Sequence, residues 1–186
     1  GGGFRDRRDI EVLYDGDEID IESGDTENDR DGEFRSFIVI PAGVAGDHDI
    51  DVKVATDQAG TEFAVLPAVT ISPTSGNIGD EVTISGTGFG RNKNLTVYFN
   101  NAPVTLTGGS PRSGSDGSFD NLKFEVPPHG AGTYVVQVKD SANNSATAKI
   151  GFPITATVDI SPTSGNVGTM ITASGTGFVP GSSVTI

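Results

Sequence analysis

"ISPTSGNIGDEVTISGTGF", residues 71–89, returns as "ISPTSGNVGTMITASGTGF", residues 160–178, with 14 of the 19 positions identical. Within it, Val82 and Ile84 are separated by one polar residue, which places both on one face of a short strand. Long self-similarity at a fixed distance marks a repeat architecture and governs how every other motif is read.

A remoter copy stands at the start of the chain. "GGGFRDRRDIEVLYDGDEIDIESGDTENDRDGEF" (1–34) aligns without a gap on "GTGFGRNKNLTVYFNNAPVTLTGGSPRSGSDGSF" (86–119), at a constant offset of 85. Phe4 meets Phe89. Ile10, Val12 and Tyr14 meet Leu95, Val97 and Phe99; Ile19 and Ile21 meet Val104 and Leu106. Asp31-Gly32 meets Asp116-Gly117, and Phe34 meets Phe119. The polar residues between differ freely while the apolar ones recur at period two, as a shared buried face requires. After one inserted residue, 37–54 parallels 122–140, with Pro41 on Pro127. The chain therefore divides into 1–66, a unit lacking its first strands; 68–154, a complete unit; and 155–186, the first strands of a further unit, including "TVDISP" and "MITAS".

The complete unit is predicted to hold about seven short strands. A first strand ends near Ile71, and "EVTIS" follows the loop "SPTSGNIGD". "LTVYF" turns at Asn100-Asn101 into a return strand "VTL". "LKFEV", "YVVQV" and "ATAKIGF" complete the set, with bends at Pro127-Pro128 and "DSANNS". Gly is 26 of 186 residues, well above the usual level of about 7%. No stretch keeps a helical apolar period free of Gly or Pro. An antiparallel β-sandwich is the expected architecture.

The run "ISPTSGNIGDEVTISGTGF", followed by "DGSF", "VPP" and "GAGTYVVQV", resembles the IPT/TIG family of immunoglobulin-like domains. The resemblance covers the middle copy and both partial ones. It implies an all-β chain of tandem immunoglobulin-like antiparallel sandwiches, one complete and two partial, whose role is interaction and spacing rather than catalysis. Tyr134 is then the candidate for a hydrogen bond of tyrosine-corner type. The first copy has His48 in its place and is expected to lack that bond.

Composition narrows the function further. The chain has no cysteine, which excludes disulfides, thiolate metal sites and a cysteine nucleophile. No apolar run reaches the 18 or so residues that cross a bilayer. The net charge is −13, and residues 1–66 carry −12 of it, so no basic patch is present to neutralise phosphates. Two histidines, His48 and His129, are too few and too isolated in sequence to suggest an acid–base pair, so no catalytic residues are expected. The "GTGF" glycines lack the lysine and helix of a phosphate loop and read as backbone geometry.

The acidic first unit offers one metal candidate. Asp15, Asp17 and Glu18 in "DGDE", with Glu27, Asp29 and Asp31 in "DTENDRDGE", supply oxygen ligands of the kind calcium takes, on two loops expected to be neighbours. The match to a calcium loop is incomplete, because Ile38 stands where a bidentate Glu belongs. The solvated acidic face is the competing reading, and the recurrence of Asp31-Gly32 as Asp116-Gly117 favours a turn for that pair. Asn94-Leu95-Thr96 and Asn143-Asn144-Ser145 are glycosylation sequons for a secreted chain.

Three functions fit these features. The first is a non-enzymatic structural or adhesive module of an extracellular, cell-surface protein, such as a surface layer, adhesin or filament of a prokaryote. Its partners would be neighbouring copies, adjacent repeats, or a surface glycan or protein. The second is a fibre subunit assembled head-to-tail, one chain's last strands completing the next chain's first unit. Residues 175–186 duplicate residues 1–12, however, so "SVTI" would compete with "DIEV", and a window cut from a longer array is the simpler expectation. The third is an accessory glycan-binding module of a secreted enzyme, which the absence of Trp and the inward positions of Tyr14, Phe99 and Phe124 disfavour.

Overall fold

A computed structural model describes residues 7–149, 151–179, 181–183 and 185; Phe4 of the "GGGF" start, Ile150, and Val184 and Ile186 of "SVTI" lie outside them. The described residues form eighteen strands and no helix. In the first unit, β1 (Ile10–Tyr14), β2 (Asp17–Ile19), β5 (Gly46–Val54) and β6 (Asp57–Val65) make a sheet in the order β2-β1-β5-β6, and β3 (Ile21–Gly24) pairs with β4 (Ser36–Ile38). In the middle unit, β7 (Ala68–Ser72), β8 (Glu81–Thr87), β11 (Leu106–Gly108) and β12 (Phe119–Glu125) make a sheet in the order β11-β12-β8-β7. Its second sheet runs β10-β9-β14-β15, from β9 (Leu95–Phe99), β10 (Ala102–Pro103), β14 (Val136–Asp140) and β15 (Ser145–Thr147). A ribbon of β13 (Gly132–Tyr134) with β16 (Phe152–Ile154) completes that unit, and β17 (Thr157–Ser161) pairs with β18 (Thr172–Thr176) beyond it.

The two sheets of the middle unit share one core. Val82, Ile84, Leu122 and Phe124 from one sheet pack in a single cluster with Val97, Phe99, Val136 and Val138 from the other, all buried. At about 1.5–3 kcal/mol for each large side chain taken out of water, this cluster dominates the unit's stability.

The first unit repeats the middle one in register. Val12 lies opposite Val52 and Tyr14 opposite Ile50, as Val97 lies opposite Val138 and Phe99 opposite Val136. Both β-hairpins turn on two residues of positive φ, Asp15-Gly16 (52° and 89°) and Asn100-Asn101 (49° and 65°), the backbone that matches strand twist. The irregularity recurs as well: the register slips between Ile21 and Ser23 in one unit and between Leu106 and Gly108 in the other.

Three expected strands of the middle unit are broken. "VTL" gives way to the separate strands β10 and β11, and Val104 donates its N–H to the Val97 carbonyl between them. "YVVQV" splits at Val135, whose carbonyl accepts from the Asn100 N–H, and "ATAKIGF" splits into β15 and β16. The cause is a count of residues. Val138 pairs with Ala146 and Tyr134 with Phe152, so six residue steps oppose four, and the excess must bulge out. In the first unit Val52 pairs with Ala59 and His48 with Phe63, four steps against four, and β5–β6 runs unbroken from Gly46↔Val65 to Val54↔Asp57.

Among the described residues no strand of the first unit stands where β8 stands in the middle one. Phe34 is consequently 40% exposed where its counterpart Phe119 is 6% exposed. An open cleft of about 760 Å³ is lined by Phe34, Ile50, Val52, Val54 and Ala59.

The "GTGF" glycines let the inter-unit linker lie against the turn. Gly88 has φ of +71°, and a Cβ there would sit 2.7 Å from the Leu66 carbonyl oxygen; Gly177, at +74°, stands in the same relation to Thr155 at 2.5 Å. Replacing Gly88 by Ala is expected to cost the middle unit about 1–3 kcal/mol in urea unfolding. An unchanged transition midpoint would show that the linker is not held there.

Candidate functional site

The first and middle units meet around the start of β5. His48 is two residues before Ile50 and so shares a face with it, beside Tyr14 at the end of β1. The two rings stack, with centroids 4.9 Å apart and planes 16° from parallel. His48 Nδ1 is 2.7 Å from Asp15 Oδ2, and Nε2 is 2.9 Å from the Val44 carbonyl oxygen. A carboxylate and a carbonyl can only accept, so the protonated ring, with both nitrogens donating, satisfies both contacts, and the neutral ring only one. The bond to Asp15 and then that to Val44 push the His48 pKa up from its ordinary 6.5, against the opposing effect of burial. The same contact holds the Asp15 carboxyl below its ordinary value. The Tyr14 hydroxyl is buried without a partner, and burial, then the charge of Asp15, push its pKa up.

This geometry corrects the expectation that the first copy lacks the tyrosine-corner bond. In the middle unit Tyr134 donates its hydroxyl to the carbonyl of Gly130, four residues upstream, at 2.7 Å. His48 reaches the carbonyl of Val44, also four residues upstream. An imidazole N–H replaces a phenol O–H in the same role, and the second nitrogen adds Asp15. The clamped segment borders the middle unit: the Ala45 N–H points to the Phe89 carbonyl oxygen at 3.4 Å. A cleft of about 510 Å³ opens beside it, between Tyr14, Asp15, Asp17 and His48 on one side and Arg91, Ser115 and Asp116 on the other.

His129 is not part of this site. It packs edge-on against Phe99 and Tyr134, with centroids 5.3 and 4.7 Å away. Both histidines are thus held in packing or clamping roles.

The six candidate calcium ligands are not brought together. Glu27 bridges to Asp9, ahead of β1, whereas Asp15 follows β1, so the two acidic loops lie at opposite ends of that strand, about 20 Å apart at about 3.3 Å per residue. The expectation of neighbouring loops fails because β1 separates them. Asp15 is engaged by His48 and the Asp49 N–H. Asp29 Oδ1 accepts from the N–H groups of Asp31 and Glu33, which makes it the organiser of its own turn. Asp17 and Glu18 stand in β2, exposed. Among the described residues no three acidic or histidine side chains converge on a common point.

Asp140 is a functional carboxylate of a structural kind that sequence reading missed. It is buried and accepts from Gly90 N–H (2.8 Å), Asn144 Nδ2 (2.8 Å), Ala142 N–H (2.8 Å) and Asn144 N–H (2.9 Å), joining the "GTGFG" turn to the "DSANN" turn. Burial opposes its charge, but the bonds from Asn144, Gly90 and Ala142 prevail and hold its pKa below 3.8. Only the neighbouring Asn and Ser turn residues hinted at it. Asn94 and Asn143 of the sequons are both exposed, at the same end of the unit, where Ser141 N–H donates to the Asn94 carbonyl.

Residues 68–154 match the family model of the IPT/TIG domain. That segment is similar to the IPT/TIG family, and the described residues are all-β, in antiparallel sheets that fit immunoglobulin-like sandwiches. No curated protein matches the chain. Among solved structures it is similar to the Bacteroides ovatus mixed-linkage glucan utilization locus protein SGBP-B in complex with a mixed-linkage heptasaccharide, at 17% identity over 81% of this chain and 37% of that one, TM-score 0.33. It is also similar to the eight N-terminal Ig domains of Down Syndrome Cell Adhesion Molecule (15%, 83% and 21%, TM-score 0.32) and to the titin Ig tandem A164-A165 (16%, 80% and 82%, TM-score 0.28). The chain spans less than two fifths of the length of the first two.

Two measurements check the site. Because the folded pKa of His48 is raised, its stabilisation is complete below pH 6.5 and is lost as pH rises through the folded value. Urea unfolding of the first unit should therefore weaken with rising pH above about 6.5, and His48→Tyr, which keeps the bond to Val44, should flatten the profile. Calcium should leave the melting temperature where chelator leaves it; a rise at millimolar calcium would show that the acidic loops rearrange around the ion.

Proposed function

We propose that this chain is a non-enzymatic structural or adhesive module of an extracellular multi-domain protein, its immunoglobulin-like units acting as spacers in a surface layer, adhesin or filament. The observation that carries the reading is the repeated junction. Gly88 packs on the linker at Leu66-Pro67, and Gly177 packs on the linker at Thr155-Ala156 in the same way. A linker held by the next unit's own turn sets one inter-unit geometry and reproduces it along an array, which is what a spacer needs. The acidic first unit keeps such an array soluble. Its partners in this reading are adjacent repeats, neighbouring copies and a surface glycan or protein, and Asn94 and Asn143 are its acceptors where the host glycosylates. Glycan binding of the kind that uses exposed aromatic platforms gains no support from the middle unit, whose five Phe side chains are all buried.

Small-angle scattering tests the reading. Wild type should scatter as one elongated particle, and inserting two glycines after Leu66 should broaden its distance distribution. An identical profile for the two would remove the fixed junction, and the spacer reading with it.

A further inference from the structure

The segment 42–45 lies between His48 and the middle unit, and a contact from each side holds it. From its own unit, His48 Nε2 is 2.9 Å from the Val44 carbonyl oxygen. From the middle unit, the Phe89 carbonyl accepts from the Ala45 N–H at 3.4 Å, a long bond that a small shift would break. Phe89 ends the turn whose Gly88 packs on the linker at Leu66. That turn is thus tied to the first unit twice, once through the linker and once through this segment.

The second tie is steadied differently from its counterpart. In the middle unit the matching segment is 128–131, where the His129 ring packs edge-on against Phe99 and Tyr134, and Tyr134 donates a neutral bond to Gly130. The first unit has Gly43 in the place of His129, and so lacks that ring. Gly43 and Gly46, the latter at φ of +128°, flank Val44-Ala45 and let the pair swing at low cost.

We infer that His48 makes the junction between the first and middle units a pH-sensitive joint: the protonated ring holds 42–45 against the Phe89 turn, and the neutral ring releases it. This goes beyond the spacer reading and stands without it, because the tie concerned is not the linker.

The neutral ring has one N–H for two acceptors. A carboxylate attracts that proton more strongly than a carbonyl, so it stays on Nδ1, facing Asp15 at 2.7 Å. Nε2 then turns a lone pair toward the Val44 carbonyl oxygen, and the clamp becomes a repulsion. The groups around the ring leave it as the one that switches. Tyr14 stacks on it, Asp15 bonds it, and Asp47, its neighbour in β5, adds negative charge. Asp17, Arg91 and Asp116 line the same cleft. Asp49 gives its N–H to Asp15 and stands opposite Glu62 in the β5–β6 register. Carboxyl groups ordinarily titrate at about pH 4, and phenol and guanidinium at about 10 and above, so between about pH 6 and 9 the imidazole is the group of this set that changes charge. Its raised pKa keeps the clamp whole below 6.5 and opens it as pH climbs through the folded value. The packing of Gly88 on Leu66 involves backbone alone and does not follow pH.

The chain has no cysteine, so a pair can be placed at will. Thr61→Cys in β6 and Thr147→Cys in β15, both exposed, carry donor and acceptor dyes for energy transfer across the junction. The distance distribution should be narrow at pH 6 and broaden toward pH 9, with the midpoint of the His48 ring titration followed by NMR. His48→Tyr takes the middle unit's arrangement and leaves His129 in place; it should stay narrow at both pH values. Asp15→Asn removes the largest cause of the raised pKa and should move the midpoint to lower pH. Circular dichroism should be the same at pH 6 and pH 9, because the opening is local. A wild-type distribution indifferent to pH, broadening that persists in His48→Tyr, a midpoint unmoved by Asp15→Asn, or strand signal lost at pH 9 would each overturn the inference. Indifference to pH, with the two-glycine insert still broadening the scattering distances, would remove the joint and leave the spacer reading. An insert without effect beside a pH-dependent wild type would remove the spacer reading alone.

Discussion

A twisted sheet with one apolar face needs a second apolar layer over it, and in this fold β8 decides whether that layer is whole. Laterally it pairs with β12, and vertically it sets Val82 and Ile84 over the side chains of β9 and β14. The first unit shows what pairing achieves without it. Its strands keep the register, the two-residue hairpin and the register slip of the middle unit, yet Phe34 stays open and Ile50, Val52 and Val54 line a cleft. Strand pairing and core closure draw on different parts of the sequence. The first is set locally by alternation and turn residues, the second by a segment that pairs from outside the run 95–154 and its counterpart.

The first unit carries most of the charge, and its polar contacts differ accordingly. The middle unit closes its corner with a neutral bond from Tyr134 to Gly130. The first unit uses His48, bonded at both nitrogens, with Asp15 as counter-charge. Charge-assisted bonds are stronger than neutral ones, by roughly a factor of two. The exchange trades pH independence for strength. The clamped carbonyl is that of Val44, next to Ala45, whose N–H meets the Phe89 carbonyl of the middle unit.

What was legible in the sequence was whatever repeats at period two. The offset of 85 between 1–34 and 86–119 translates into identical strand partners, because inward positions cannot drift without losing the core. Three things were hidden, each for a physical reason. A comparison of residue types makes His48 look like the loss of Tyr134, since it does not show that both rings reach the same upstream carbonyl. Acidic loops ten residues apart in sequence look adjacent, since sequence distance does not show that β1 runs between them. The break in the last hairpin depends on two surplus residues whose place emerges only from the pairs on either side. Asp140 belongs with these: one carboxylate among many, its burial set by turns that meet in space.

The positions at which 71–89 and 160–178 agree can now be sorted by what they touch. Gly86 leaves room for an aromatic ring, and Gly88 lets the linker backbone pass. Gly76 lies against Phe152 and Asp80 and donates its N–H to the Pro153 carbonyl. These are close approaches to other parts of the fold, where any side chain would displace a neighbour. The positions that differ include contacts of another kind: Glu81, where the later copy has Met170, pairs with Lys123 across β8 and β12, and Ile84, where it has Ala173, is buried in the core. Backbone-contact positions are fixed by the fold shared among all copies, whereas pair-contact positions are free to follow a particular partner.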